Sequence, residues 1–421
     1  MTAFYYQGDD FYCEDVPVRD IAADVGTPFY LYSRRAFEEN FTVFNSAFSA
    51  VEHLTCYSVK ANSNLSILSI FARLGAGVDV VSGGEIFRAL KAGISPRRIV
   101  YSGVGKSAAE IEYALRADIL MFNVESAQEL ELIDRIAGTM GKKARIALRI
   151  NPDIDPKTHP YISTGLKKNK FGVRIEAAQQ EYAKAALKEN LDVVGVACHI
   201  GSQITEVGPF VDALSRVRAF VHSLTDAGIA ITYLDLGGGL GITYDDESPP
   251  HPTEYARALI NEMAGLSCTL VLEPGRVIAG NAGILVARVL YTKKTEEKNF
   301  VIADVAMNDL VRPSLYDAFH GIQPVKKKKG AAITADIVGP ICETGDFMVR
   351  DREMPDFEPG DCIAVMSAGA YGFTMSSNYN SRPRVPEVLV DGQSYFVTRK
   401  RESYDDLVRG EEIPVQLVKA V

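Results

Sequence analysis

Residues 53–93 read HLTCYSVKANSNLSILSIFARLGAGVDVVSGGEIFRALKAG, one strand-and-helix unit followed by a second. LTCYSV (54–59) mixes apolar and β-branched residues with small ones over the length of a short buried strand. An apolar helical pattern starts near Ser66, a second short run VDVV (78–81) follows, and GGEIFRALKAG (83–93) is helical again. Lys60 stands where the first strand ends. A long cation there ordinarily snorkels to solvent, so its meaning depends on what the other strand ends carry.

Outward from this stretch the unit recurs. The runs RIVYSG (98–103), ILMFNV (119–124), ARIALRI (144–150), VVGVACHI (193–200), ITYLDL (231–236) and CTLVLE (268–273) alternate with helical segments such as SAQELELIDRIAGTMG (126–141). Strict alternation implies parallel strands joined by crossover helices. Eight units in about 250 residues is the arithmetic of an α/β fold closed as a (β/α)8 TIM-like barrel. A doubly wound sheet would leave the eighth strand at an open edge. The strand ends carry Lys60, Asp79, Ser102, Asn123, Arg149, His199, Gly237 to Gly239 and Glu273. A barrel gathers all of them on its C-terminal face, where active sites are built.

Beyond residue 280 the pattern changes. GILVARVLYTKK, NFVIADV, AAITADIVG and DCIAVMSAGAY alternate, are β-branched and are separated by Gly, Pro and Asp, which predicts an antiparallel β domain. The first thirty or so residues share that character. The expected division is 1–34 joining the β domain, 35–280 as the barrel, and 281–421 as the antiparallel β domain.

The bulk numbers exclude several classes. The 421 residues carry a net charge of −9, and the one basic run, Lys326 to Lys329, reads as a solvated loop, so neither nucleic acid nor an anionic membrane is expected as a partner. No run of about 18 apolar residues predicts a membrane span. The acidic N-terminus lacks the apolar core of a signal peptide. Six scattered cysteines without a C-x-x-C pair argue against disulfides or a metal site and for the reducing cytoplasm.

Two stretches suggest phosphate. SGVGKSAAE (102–110) imitates a P-loop, but Val100 occupies the position its first glycine would need, and Ser107 reads as a helix N-cap. LGGGLG (236–241) follows the seventh strand, where barrels recurrently bind phosphate through closely approaching backbone N–H groups. A lysine, a phosphate site, a histidine and a glutamate at one barrel mouth suggest pyridoxal 5'-phosphate. That cofactor needs an amine to carry it, donors for its phosphate and a partner for its ring nitrogen.

YSVKAN, HIGSQ, GGGLG and EPGR, in this order, resemble the barrel-type (fold-type III) pyridoxal-phosphate decarboxylases of basic amino acids. MNDLVRPSLYDA (307–318), ICETGD (341–346), GAYGFTMSSNYNSRPRVPE (369–387) and RKRESYDDL (399–407) narrow the resemblance to the diaminopimelate decarboxylase family. The resemblance implies decarboxylation of meso-2,6-diaminopimelate to L-lysine and CO2. It implies that Lys60 carries the cofactor, Glu273 pairs with the pyridine nitrogen, His199 lies against the ring, and Ser202, Gly237, Gly238, Gly239, Gly275 and Arg276 hold the phosphate region. Asp79, Glu85 and Arg149 become supporting polar groups, with a structural ion network as the alternative. Tyr371 would reach cofactor and substrate, and Cys342 would be the general acid. Arg276, Arg312 and Tyr316 would grip the substrate's distal carboxylate and Glu343 its distal amine. In that family the cysteine and its neighbour come from the partner subunit of a homodimer with shared sites. Arginine, ornithine or carboxynorspermidine decarboxylation is disfavoured by Arg312 with Tyr316, and an amino-acid racemase by CETGD. A catalytically inactive binding homologue would not need Lys60 and Cys342.

Overall fold

Apolar runs too short to be helices become strands buried on both faces, and the small and polar residues after each become turns into helices. The computed structural model describes residues 3–155 and 170–417. It has eight such strands: β1 (His53–Ser58), β2 (Gly77–Val80), β3 (Ile99–Tyr101), β4 (Met121–Val124), β5 (Ala144–Asn151), β6 (Leu191–Ala197), β7 (Tyr233–Asp235) and β8 (Thr269–Leu272). Each pairs in parallel with the next, and β8 pairs back onto β1, so the barrel closes. Its interior is filled by side chains such as Val100, Met121, Ala147 and Val271, making it a packed core and not a pore.

The helices that follow are started by their sequence. Asn64, Ser82 and Ser126 each accept a backbone N–H of the first turn that has no intrahelical partner. Ser107 does so in a full capping box with Glu110. Lys106, in the false P-loop, is spent inside the fold: its ammonium donates to the carbonyls of Gly103 and Asn123 and pairs with Glu129 at 2.7 Å, with only 1% of its side chain exposed.

The chain divides into two compact units. One holds the barrel, residues 33–283, together with the segment Ser367–Thr374. The other takes Phe4–Tyr32, Ile284–Met366 and the chain from Met375 onward. Its main sheet runs in the order Phe347–Pro355, Ala332–Val338, Asn299–Ala303, Gly283–Lys294, Phe29–Ser33, Glu387–Asp391, Ser394–Arg399, so the N-terminal region supplies a central strand. Several neighbours pair antiparallel, whereas Asn299–Ala303 runs parallel to Ala332–Val338. Phe11, Ile21, Phe29, Leu31, Val286 and Val388 form the centre of its core. Within the basic run, Lys328 pairs with Asp361 at 2.6 Å. Among the described residues, no helix is long and apolar enough to cross a membrane.

Candidate active site

Immediately after β1 the chain makes one 3-10 turn, Val59–Ala61, which brings Lys60 onto the C-terminal end of the barrel. Its ammonium lies 2.5 Å from Asp79 Oδ2 on the neighbouring strand β2, whose side chain is fully buried. The Ser58 hydroxyl sits 3.0 Å from that same carboxylate and 3.0 Å from the Glu273 carbonyl, joining β1, β2 and the end of β8. Burial disfavours the Lys60 ammonium, but the carboxylates of Asp79 and Glu273 outweigh it and hold the pKa above the usual lysine range.

Glu273 directly follows β8 and is 7% exposed. Its Oε1 accepts from the Ser102 hydroxyl at 3.2 Å and from the Asn123 amide at 3.3 Å. Burial, then the carboxylates of Asp235 and Asp79, push its carboxyl well above the usual range. His199, after β6, accepts the Gly238 N–H on Nδ1 at 3.2 Å, which leaves the ring proton on Nε2. Burial, reinforced by the charges of Arg149 and Lys60, pushes its pKa well below the ordinary value, so the imidazole is neutral at pH 7.

The glycines after β7 and β8 are demanded by space. A Cβ on Gly238 would come 2.1 Å from the Glu273 carbonyl oxygen, and one on Gly275 would come 3.0 Å from Ser58 Cβ and 3.1 Å from Ala61 Cβ. Gly237 and Gly239 sit at φ 67° and 124°, which side chains rarely adopt. Without side chains the two loops close up against the Lys60 turn. Beside them Arg276, 5% exposed, extends Nη2 to Ser202 Oγ at 3.0 Å and Nη1 to Tyr244 Oη at 2.6 Å, and its guanidinium lies 4.8 Å from the Tyr371 ring centroid. The Tyr371 N–H donates to the Ala61 carbonyl at 2.8 Å, next to Lys60. The barrel unit thus brings together Lys60, Asp79, His199, Ser202, Gly237 to Gly239, Glu273, Gly275, Arg276 and Tyr371.

The supporting groups divide. Arg149 pairs with Glu125 at 2.8 Å and lies over the Phe171 ring, a structural ion pair beside the His199 loop. Glu85 accepts the Val81 N–H at 2.7 Å, and burial pushes it up to about 7. Asp235 and Tyr244 were not among the expected site residues, and Asn123 was expected only as a strand end on this face, with no role given to it. The acidic end of the otherwise apolar run ITYLDL is the sequence signal for Asp235; Asn123 is one more polar strand end; Tyr244 leaves no signal.

The other unit has a polar cluster of its own. Arg312, 6% exposed, directs Nε to His320 Nε2 at 3.4 Å, with its guanidinium 5.8 Å from the Tyr316 ring centroid. His320 Nδ1 lies 2.8 Å from the Met366 carbonyl, which fixes its tautomer as the Nδ1–H form. Of the six cysteines, all free, Cys342 alone is exposed. Its N–H donates to Asn380 Oδ1 at 2.9 Å, and the Tyr379 hydroxyl donates to Glu343 at 2.7 Å. The buried Asp346 carboxylate accepts from the N–H groups of Met307 and Ile341, both at 2.7 Å, tying the MNDL and CETGD segments together. His320 lies outside any regular element, and Tyr379 and Asn380 lie in one 3-10 turn, Tyr379–Ser381, too short for periodicity to mark them.

Chemically, the barrel mouth offers an amine beside a carboxylate, a glycine cradle with an arginine fork, a neutral histidine and a buried carboxyl facing the same space. An amine carrier, a phosphate seat and a ring-nitrogen partner are the needs of pyridoxal phosphate, so the residues fit that cofactor. Comparison with known proteins agrees. Residues 34–280 match the family model of the pyridoxal-dependent decarboxylase pyridoxal-binding domain. The chain is 52% identical to the diaminopimelate decarboxylase of Vibrio cholerae over 97% of its own length and 98% of that protein's. It is 51% identical to that of Aquifex aeolicus over 96% of each. Among solved structures, the Helicobacter pylori enzyme complexed with L-lysine superposes with a TM-score of 0.91 at 47% identity, covering 93% of this chain and 98% of that one. The M. jannaschii enzyme, also complexed with L-lysine, gives 0.94 at 39% identity, covering 99% of each. The chain belongs to the diaminopimelate decarboxylase family of pyridoxal-dependent carboxy-lyases.

Proposed function

We propose that this protein removes CO2 from meso-2,6-diaminopimelate, leaving L-lysine, the last step of lysine biosynthesis. The observation that carries the reading is the Lys60–Asp79 pair seated against the Gly237–Gly239 and Gly275–Arg276 loops, with Glu273 behind it. When bound, pyridoxal phosphate supplies the electron sink that accepts the pair left behind as CO2 departs. Lys60 is the amine that carries the cofactor, and Asp79 orients that amine and receives its charge. Gly237 to Gly239, Gly275, Ser202 and Arg276 hold the phosphate by backbone N–H groups, a hydroxyl and a cationic fork. His199, kept neutral by burial, would lie beside the cofactor without adding a positive charge there. Glu273 holds the proton at the ring nitrogen, and Tyr371 orients cofactor and substrate together.

At the substrate's far end Arg312 and Arg276 pair with the carboxylate, Tyr316 adds a hydroxyl and Glu343 pairs with the amine. Ornithine or lysine would need only the acidic partner, so the arginines favour a substrate with both charges there. Cys342 returns the proton to the substrate's α-carbon. We take the protein to be a cytoplasmic homodimer in which Cys342 and Glu343 complete the partner's barrel site; the exposure of Cys342 supports this reading. Reductive trapping of the loaded protein with borohydride, followed by peptide mass analysis, tests the assignment of the carrier. The cofactor's mass on the peptide containing Lys60 is expected, and its recovery on another lysine would overturn it.

A further inference from the structure

The HIGSQ segment ends in Gln203, which has no part in the site so far, and Tyr244 enters the site with no motif around it. The two are connected. Gln203 clamps Ile242 at two points: its Nε2 donates to the Ile242 carbonyl at 2.6 Å, and its Oε1 accepts the Ile242 N–H at 3.1 Å. Further on, the Glu247 carboxylate accepts the N–H groups of Tyr244 and Asp245, both at 2.8 Å. The loop after β7 is thus pinned on both sides of Tyr244. Gln203 itself sits at φ 57°, a conformation that side chains rarely adopt and that persists where the surroundings enforce it. What this loop holds is Arg276. Tyr244 Oη accepts from Arg276 Nη1 at 2.6 Å. Ser202, the neighbour of Gln203, accepts from Nε at 3.3 Å and from Nη2 at 3.0 Å. Each of the three guanidinium nitrogens is therefore tied to a hydroxyl, from two different loops. The side chain is buried, and the Tyr371 ring centroid lies 4.8 Å from the guanidinium. A planar fork held at all three nitrogens has its orientation set before a ligand arrives. All of these residues belong to the barrel unit.

We propose that Tyr244 is a positioning residue for substrate choice: through Nη1 it aims Arg276 at the substrate's distal carboxylate, while Ser202 keeps the Nε edge of the same guanidinium on the phosphate. The proposal rests on the reading of Arg276 as a partner of both anions. The phosphate does not depend on Tyr244, because the glycine loops and the Ser202 hydroxyl supply donors of their own. The distal carboxylate is gripped in that reading by side chains alone. A two-point pair between a guanidinium and a carboxylate forms only when both N–H groups point along the two oxygens, so a fork free to turn loses it. Tyr244 touches neither anion; it acts through Arg276.

Tyr244→Phe removes one oxygen and keeps the ring, so the loop and its packing remain. Three constants read the result: the Kd of pyridoxal phosphate for the apo-protein by fluorescence titration, the KM for meso-diaminopimelate, and the Ki for L-lysine, which lacks the distal carboxylate. The variant is expected to raise the KM about tenfold, the worth of a hydrogen bond to a charged group. The cofactor Kd and the lysine Ki should stay at their wild-type values, and kcat should change less than KM. In an Arg276→Gln background the Tyr244→Phe change should have no further effect on KM, since its route to the substrate is gone. An equal rise in the lysine Ki or the cofactor Kd, or additive effects in the double variant, would overturn the proposal. The parent reading is separated by Arg276→Gln alone. A raised KM there beside an unchanged KM in Tyr244→Phe overturns the role of Tyr244 only; an unchanged KM in Arg276→Gln removes Arg276 from the distal carboxylate and the proposal with it.

Discussion

Gly238→Ala is the perturbation whose consequence the geometry fixes most tightly. The added Cβ would lie 2.1 Å from the Glu273 carbonyl oxygen, whereas carbon and oxygen that are not bonded come no closer than about 3.3 Å. A gap of about 1 Å must open between the loops after β7 and β8. No side-chain rotation can absorb it, because both sides are backbone held by hydrogen bonds: Glu273 N–H to the Gly237 carbonyl at 2.7 Å, Ser58 N–H to the Pro274 carbonyl at 3.0 Å, and Gly238 N–H to His199 at 3.2 Å. Overpacking of this kind costs about 1–3 kcal/mol of stability. A misplacement near 1 Å in groups that orient reactants costs about a hundredfold in rate. We expect Gly238→Ala to fold, to bind pyridoxal phosphate more weakly and to lose about two orders of magnitude in kcat/KM. Gly208→Ala is the control, since its Cβ would meet nothing within 4 Å. Cofactor titration, CO2 release and thermal melting read the three effects. Wild-type cofactor affinity and turnover in Gly238→Ala would refute the close-approach argument.

Further outcomes are expected. Arg312→Ala should cost diaminopimelate turnover about 2–5 kcal/mol, from the distal carboxylate left unpaired; an equal loss on residual lysine decarboxylation would point to a folding defect instead. Lys106→Met leaves the Glu129 carboxylate buried without its partner, a loss of about 3–5 kcal/mol that a melting curve should register, and an unchanged Tm would contradict the reading of Lys106 as structural. Lys60→Ala and Cys342→Ala proteins should each be nearly inactive, while their random mixed dimers regain about a quarter of wild-type activity if sites are shared. No recovery, with hybrid dimers demonstrated, would put both residues in one chain's site.

The barrel was legible because each of its strands is short, apolar and buried on both faces, and each ends in a residue whose chemistry stands out against that background. Lys60 and Glu273 are visible in this way from the sequence alone. The β domain was harder to read. Phe29–Ser33 lies between strands more than 250 residues away in sequence, and a non-local pairing leaves no local periodicity. The parallel pair among antiparallel neighbours is hidden for the same reason. Within the site, Asp235 was passed over because the glycine triplet after it was taken as the end of the seventh strand, although Asp235 is wholly buried beside Glu273's partner Asn123. The roles given to Arg312, Tyr316, Cys342, Glu343 and Tyr371 came from motif resemblance. Their neighbours His320, Tyr379 and Asn380 became visible only through hydrogen bonds in space.

The central claim is the reaction, and stoichiometric product analysis tests it most directly. The purified protein, loaded with pyridoxal phosphate, would be supplied separately with meso-diaminopimelate, lysine, ornithine and arginine while CO2 and the amine product are quantified. The account predicts equimolar CO2 and L-lysine from diaminopimelate, little release from the other three, and none from diaminopimelate with Lys60→Ala. Faster release from ornithine or arginine, or turnover that survives Lys60→Ala, would contradict it.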